Sequence, residues 1–474
     1  MRESTLPAAV TAAPTAPTAT AEPVSAMMPL AALRRRQLAA LFWTWLVLIG
    51  LVTVFLGTFA IAFLASLKED PLEDPFRFVF PQVTPSAWIA AADLGSDAGG
   101  GALWGGFAPG GMIEFSATWA VPPNETLTEP VVEVPRRVPG SPIARALTEH
   151  YASDFSTVER VAVAETVVTG PDGGEWPAAR YTWRISYAPG ADGLAPTVDR
   201  LPLTATVPRG QVLVDADLPV SAIERRGRTA SWSNLAPGAL GLVFDNYRRV
   251  WNETVDISTG ERLFPWWLLN SLVIAIGRVV MIVALASLAG YALARLRFSG
   301  AAAVFAAVIF SMTIPPQVTF VSNYLIVRDI GLLNTPWGVI VVFTFSTHVL
   351  LMKQFFEGFP REIEEAAIAD GASHWTVFRR IVLPNSKPAL VTNAIIAFQA
   401  AWNDFFWPFV LLSSPPQALS VQVGLLALRE QGAGGESDWG LVLAGAFISI
   451  VPVVLMFVLF QRYILDNQVS DGVK

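Results

Sequence analysis

Residues 266–294 read WWLLNSLVIAIGRVVMIVALASLAGYALA, with Arg278 as the one charged side chain. As a helix this stretch extends about 43 Å at ~1.5 Å per residue, more than the roughly 30 Å of hydrocarbon in a bilayer. The stretch therefore predicts a membrane-spanning helix, and Arg278 is expected to face protein or a wet cavity rather than lipid.

The same pattern recurs outward from it. Apolar stretches follow at about 301–327, 335–352, 389–412 and 439–460, and one precedes it at 38–67. The 301–327 stretch is interrupted by Pro315-Pro316, and 335–352 is short. The 38–67 stretch follows Arg34, Arg35 and Arg36, and Ala60-Ile61-Ala62 offers a small-residue cleavage site. A signal peptide is the alternative there, but its apolar region runs to only about 7–15 residues, so an uncleaved first span is expected. The six stretches predict an all-α polytopic membrane protein.

Charge sets the orientation. Arg295, Arg297, Lys353, Arg361, Arg379, Arg380, Lys387, Arg462 and Lys474 fall on the side of the Arg34–Arg36 cluster, against Arg328 and Arg429 on the other. Cytoplasmic loops carry the excess of Lys and Arg, so both termini are expected in the cytoplasm. Trp266, Trp267, Trp337, Trp407 and Trp439 fall at the expected outer ends, where an interfacial aromatic belt lies.

The polar ground lies elsewhere. The 474 residues are 53% hydrophobic and 15% charged, with net charge −7 and mean hydropathy +0.47. Between 69 and 265 there are 15 Arg, no Lys and 25 Asp or Glu, so the acidity belongs to one segment. That balance excludes a basic nucleic-acid surface. With no Cys and 3 His, disulfides, thiolate metal sites and cysteine nucleophiles are excluded and a His-rich metal site is not expected. The spans also lack paired carboxylates, HExxH and a Ser/His arrangement, which leaves a polytopic enzyme little support.

The boundaries expected are a disordered Ala/Pro/Thr-rich tail at 1–33, a first transmembrane helix at 34–68, an extracytoplasmic β-rich insertion at 69–262, and a transmembrane core at 263–474. In the insertion, Ile113, Phe115, Ala117, Trp119 and Val121 alternate with other residues, as do Tyr181, Trp183, Ile185 and Tyr187. Two hairpins are expected, 161–169 turning through 170–173 towards 181–187, and 201–207 turning at 208–210 into 212–214. A proline-started helix is expected at 143–151.

The long cytoplasmic loop 353–388 holds Glu365-Ala366-Ala367, three residues, Gly371, nine residues, then Ile381-Val382-Leu383-Pro384. Alone, this reads equally as an amphipathic connector with a glycine cap. Around it stand Ser66-Leu67-Lys68, Asn246-Tyr247, Asn270-Ser271-Leu272, Gly331-Leu332-Leu333-Asn334-Thr335, Trp402-Asn403-Asp404-Phe405 and Gln461-Arg462-Tyr463. Together these residues resemble the MalG-like permease subunits of carbohydrate-uptake ABC importers, over about 38–88 and 243–474. The 89–242 insertion has no counterpart in that pattern, and of the C-terminal tail only Gly472-Val473-Lys474 is kept.

The resemblance implies that a helix over 363–370 docks in a cleft of an ATP-hydrolysing subunit, with Glu365 paired to a basic residue there. Glu365, Ala366, Ala367, Asp370, Gly371, Ala372, Ile381, Leu383 and Pro384 are then the ATPase-coupling residues. It implies a second MalF-like permease, two ATP-binding subunits, an extracytoplasmic sugar-binding protein, and a place in the bacterial inner membrane. The chain has no G-x-x-x-x-G-K-[ST] and no Gly-Lys pair, so ATP and Mg belong to the partner subunits. Along the translocation path the candidates are Asn403, Asp404, Trp402, Asn323, Tyr324 and Asn270, with Trp402 and Phe405 placed to stack on a sugar ring. The competing reading is that these groups hydrogen-bond helix to helix; it stands level for Asp404 and is preferred for Asn270. A membrane-anchored receptor acting mainly through its outer segment is the alternative function. For the insertion itself, docking the binding protein or the partner permease is preferred over binding sugar, and plain stabilisation is the competing reading.

Overall fold

The computed structural model describes residues 30–68, 84–135, 155–170, 173–188, 197–207, 209–218, 223–226, 228–256, 258–342, 345–430 and 439–471. The expected tail (1–29 of it) and the helix at 143–151 lie outside the described residues. The chain divides into two units, 1–61 and 62–474.

The first unit contains most of helix α1 (Leu30–Ser66). Over 41–61 nearly every side chain is exposed, including Phe42, Trp43, Leu46, Ile49 and Phe55. A helix apolar on all faces suits lipid or a protein partner rather than water.

In the second unit, α2 (Pro85–Asp97) leads into strands β1 (Met112–Ala120), β2 (Val131–Glu133), β3 (Ser156–Thr169), β4 (Glu175–Tyr187), β5 (Leu203–Thr206), β6 (Val212–Ala216), β7 (Ile223–Arg226) and β8 (Thr229–Trp232). They form two four-stranded sheets, ordered β3-β4-β1-β6 and β2-β5-β8-β7. β1 and β4 run antiparallel with Ile113 opposite Ile185 and Phe115 opposite Trp183, so the alternating apolar residues of both strands share one buried face. Side chains of the two sheets meet in one core, where Phe115 meets Trp232 edge-on at 5.2 Å.

β3 pairs with β4 across 170–173, as the first hairpin requires. The second expected hairpin is not formed. β5 pairs with β2 and β8, and β6 pairs with β1. β5 ends at Thr206, and Leu203 and Leu213 enter the same core from opposite sheets, so the chain crosses between sheets instead of folding back.

Helix α3 (Ala239–Glu253) closes this region. Its buried Asn246 donates from Nδ2 to the carbonyls of Ser66 at 2.9 Å and Lys68 at 2.7 Å, and the Tyr247 hydroxyl lies 2.8 Å from Ser66 Oγ. Residues 66–68 and α3 are thereby fastened at one point.

The apolar stretch 266–294 lies in one continuous helix, α4 (Phe264–Arg295), with Pro265 in its first turn. Three helices are long and apolar enough to cross a membrane among the described residues: 41–66, 264–295 and 439–461. The last lies in the final helix, which reaches Asp471. The other three expected spans are broken. Residues 301–327 divide into α5 (Ala301–Ser311) and, after a 3-10 turn at Pro316–Thr319, α6 (Phe320–Asp329). Pro315 holds an extended ψ of 135°, and prolines carry no N–H to continue a helix. Residues 335–352 divide into α7 (Pro336–Val341) and α8 (Ser346–Glu357).

Next come α9 (Arg361–Ala369), α10 (His374–Val377), a π turn over Phe378–Val382, α11 (Leu383–Asn385) and α12 (Lys387–Trp402). The axis bends by 77° between 374–385 and 387–402. α12 stops at Asn403, and α13 (Phe406–Leu411) completes that stretch. α14 (Val421–Glu430) and α15 (Trp439–Asp471) end the chain's helices.

α4 packs against α7, α8 and α12. At Gly290 the approach is close: a Cβ there would lie 2.8 Å from Met352 Cβ and 2.9 Å from Lys353 N, so only glycine fits without a shift.

Candidate functional site

The signature at 365–384 builds a helix, a turn and a second helix. Pro360, with ψ 124°, starts α9, and Glu362 and Glu364 in its first turn suit the positive end of the helix dipole. Gly371 ends the helix with φ +88°. Its amide donates to Ile368 O at 2.9 Å and that of Ala372 to Ala367 O at 3.0 Å, satisfying carbonyls that a helix end leaves open. A Cβ at Gly371 would meet nothing within 4 Å, so conformation rather than space calls for glycine here. Ser373 then caps α10, accepting from Thr376 N at 3.2 Å.

Burial sorts the signature into two faces. Glu365, Ala366, Asp370, Gly371 and Pro384 are exposed, whereas Ala367, Ala372, Ile381 and Leu383 are half-buried. Ala367, Ala372 and Leu383 pack against a core of Tyr291, Met352, Phe356, Val377, Phe378 and Val382. Ile363, Ile368 and Trp375 are exposed apolar side chains beside Glu365 and Ala366, and an apolar patch of this kind marks an interaction surface.

Sequence reasoning missed the carboxylate that points the other way. Glu364 is the buried residue of α9, 3.0 Å from Arg295 Nε and accepting from the Tyr291 hydroxyl at 3.3 Å. Arg295 also donates from Nη2 to Phe359 O, just before α9.

The polar candidates within the apolar stretches are mostly committed to the fold. Arg278 is buried and donates to Val339 O from Nε at 3.1 Å and Nη2 at 3.0 Å, to Val342 O at 2.9 Å, and to Asp404 Oδ2 at 2.5 Å. It thus satisfies carbonyls left open where α7 ends. Asp404 Oδ1 also accepts from Trp407 N at 3.4 Å. Asn270 Nδ2 donates to Gln417 O at 2.7 Å and Leu419 O at 3.1 Å, and Ser271 Oγ accepts from Val421 N at 2.8 Å. Asn270 therefore holds a loop. Asn323 donates to Thr319 Oγ1 at 3.2 Å, and Tyr324 packs half-buried beside a second core that holds Trp267, Trp402 and Trp407.

For Trp402 the expectation of ring stacking is corrected. Its side chain is 2% exposed, stacks on Phe398 with centroids 5.8 Å apart, and donates from Nε1 to Ser449 O at 3.1 Å. No face is left for a ligand. Asn403 and Phe405 are exposed on the same turn.

Residues 282–466, which hold all of α9 to α13, match the family model described as binding-protein-dependent transport system inner membrane component. A probable ABC transporter permease protein of Pyrococcus horikoshii is 35% identical over 248 residues, covering 52% of this chain and 86% of that protein. The chain belongs to this family of ABC transporter permease subunits. It is a multi-pass inner-membrane protein and its relatives are not enzymes. The trehalose/maltose transport system permease protein MalG of Thermococcus litoralis is 31% identical, covering 50% of this chain and 86% of that protein. The maltodextrin transport system permease protein MdxG of Bacillus subtilis is 30% identical, covering 54% and 88%.

Within the permease, the motif residues Gly331 to Thr335 shape a tight turn. Gly331 has φ +74° and Asn334 φ +62°. Asn334 Oδ1 accepts from Ser413 N at 2.9 Å, and Thr335 Oγ1 caps α7 by accepting from Gly338 N at 3.3 Å. Asparagine is among the few residues that tolerate the left-handed region, which explains its place in that run.

Proposed function

We propose that this permease subunit forms, with a second permease, the translocation path of an ATP-driven importer for a sugar or oligosaccharide. The observation that carries the coupling part is the outward face of α9 and its turn: Glu365 and Ala366 exposed beside Ile363 and Ile368, ended by Gly371 in a conformation that suits glycine. Glu365, Ala366, Ala367, Asp370, Gly371 and Ala372 present this face or support it, and Ile381, Leu383 and Pro384 carry the chain from it towards α12. Small side chains let a partner's surface approach closely, and the exposed carboxylate of Glu365 offers a charge to a basic group there.

In this reading two ATP-binding subunits supply ATP and Mg, and an extracytoplasmic binding protein delivers the solute. Six membrane passages place both termini in the cytoplasm, with each broken stretch counted as one passage and its freed backbone groups satisfied by residues such as Arg278. The acidic 69–262 segment is then an extracytoplasmic insertion carrying the two sheets. A sugar as cargo is supported by the relatives' names, trehalose/maltose and maltodextrin. Asn403, Asp404, Asn323 and Tyr324 remain path candidates, with Asn403 favoured by its exposure. A receptor acting mainly through its outer segment is the weaker reading, because the family match at 282–466 lies outside that segment.

The test is co-purification of the tagged chain with its ATPase subunits from membranes, together with sugar uptake in a strain lacking the gene. Glu365→Ala is expected to lose most of the ATPase and the uptake while the chain stays in the membrane. Wild-type levels of both would refute the coupling role.

A further inference from the structure

α9 is fastened to the rest of the chain in an unusual way. Its buried residue is a carboxylate, Glu364, rather than an apolar side chain. The Glu364 and Arg295 side chains are 9% and 6% exposed and 3.0 Å apart. Arg295, the last residue of α4, grips α9 twice, through Glu364 and through the carbonyl of Phe359 just before the helix. Tyr291, one turn earlier on α4, donates to the second oxygen of Glu364 and is itself held by Phe356 and Phe378, with ring centroids 5.8 and 4.9 Å away.

Burying such a pair adds little to stability compared with apolar residues of similar volume, so stability alone does not account for it. Its attraction falls off slowly with distance, whereas an apolar contact forfeits about a quarter to a half of its attraction within an ångström. The hydrogen bonding also leaves room to re-form: Arg295 Nε and Nη1 and Glu364 Oε1 have no hydrogen-bond partner among the described residues. The pair can therefore keep α9 attached to α4 while the angle between them changes.

We infer that Arg295 and Glu364, steadied by Tyr291, are positioning residues forming a charged joint through which displacement of α9 is passed to α4. This rests on α9 being the ATPase-coupling helix. Glu365 and Glu364 then divide the work, one facing the partner and one facing the chain's own span.

The test uses the complete transporter in lipid nanodiscs, assayed for basal ATP hydrolysis without sugar or binding protein. A joint that conveys the permease's restraint to the ATPase predicts that Glu364→Gln and Arg295→Gln each raise hydrolysis per complex by at least about fivefold. The reversed pair, Arg295→Glu with Glu364→Arg, is expected to return the rate to within about twofold of wild type, since a double-mutant cycle isolates the coupling between contacting groups. A merely structural role would lower the amount of complex and leave the rate per complex unchanged. Unchanged single variants, or a reversal that restores nothing, would overturn the joint.

Because the chain has no native cysteine, Arg295→Cys with Glu364→Cys gives a second arm even if the charge variants assemble poorly. A short cross-link between the two is expected to form equally with and without MgATP-vanadate and to allow vanadate trapping. A cross-link lost in one state, or one that blocks trapping, shows that the helices part and refutes the proposal. Glu365→Ala separates the two levels. If it leaves ATPase association intact, the coupling reading fails; if it abolishes association while the joint variants are silent, the joint alone fails.

Discussion

Arg278 and Asp404 lie 126 positions apart in sequence, yet the guanidinium and carboxylate meet at 2.5 Å with both side chains largely withdrawn from solvent. Arg278 also satisfies the end of α7, so the pair ties together α4, α7 and the break between α12 and α13. Removing one partner leaves a buried charge, at a cost of about 3–5 kcal/mol, whereas replacing both with apolar residues is often neutral. Asp404→Leu is thus expected to lower the thermal midpoint of the detergent-solubilised protein sharply. Arg278→Met combined with Asp404→Leu should recover much of that loss, and equal losses in the single and double variants would contradict the pairing.

Gly371→Ala tests conformation separately from space. With φ +88° and open surroundings, a methyl group costs about 1–2 kcal/mol of backbone energy and meets no clash. The chain should reach the membrane at wild-type levels but retain less ATPase on purification, and Gly371→Asn should fall between the two.

Asn246→Ala removes two donors from the buried carbonyls of Ser66 and Lys68. Each unsatisfied group costs about 1–3 kcal/mol. Faster amide exchange is expected at 66–68 and along α3, with the two sheets unaffected. Asn246→Asp should be worse, because it sets an acceptor against two acceptors.

Asp256 gives a pH dependence of known sign. Hydrogen bonds from the Ser258 hydroxyl and amide, joined by Gln417 and Thr259, outweigh the burial that pushes the other way and hold its carboxyl below the usual range. A depressed folded-state value contributes stability that is present above the unfolded carboxylate value of about 3.9 and is lost as pH falls through the folded value. Proteolysis of the 256–262 loop should therefore rise only in strong acid, and Asp256→Asn should remove that dependence.

The burial of Arg278 was legible in the sequence because a lone charge in an apolar stretch has few places to go. Gly371 was legible because its residue type carries the backbone conformation. The phase of α9 was not: Glu364 and Glu365 are adjacent carboxylates, and only the position of Arg295 decides which one turns inward. Strand partners were also hidden. Where β5 ends could be read from the sequence around 207–210, but the choice between folding back and crossing to the other sheet depends on the core that Leu203 and Leu213 share. The interruption at Pro315-Pro316 could be read from proline chemistry, whereas the break at Asn403-Asp404 depends on a partner 126 positions away.

The fastening at Asn246 has a genetic consequence. Its two acceptors are main-chain carbonyls, which any residue at 66 or 68 supplies, while the donor is one particular side chain. Mutational freedom at this junction is therefore one-sided: the strip 66–68 can drift with little penalty to these two bonds, and position 246 is held to asparagine.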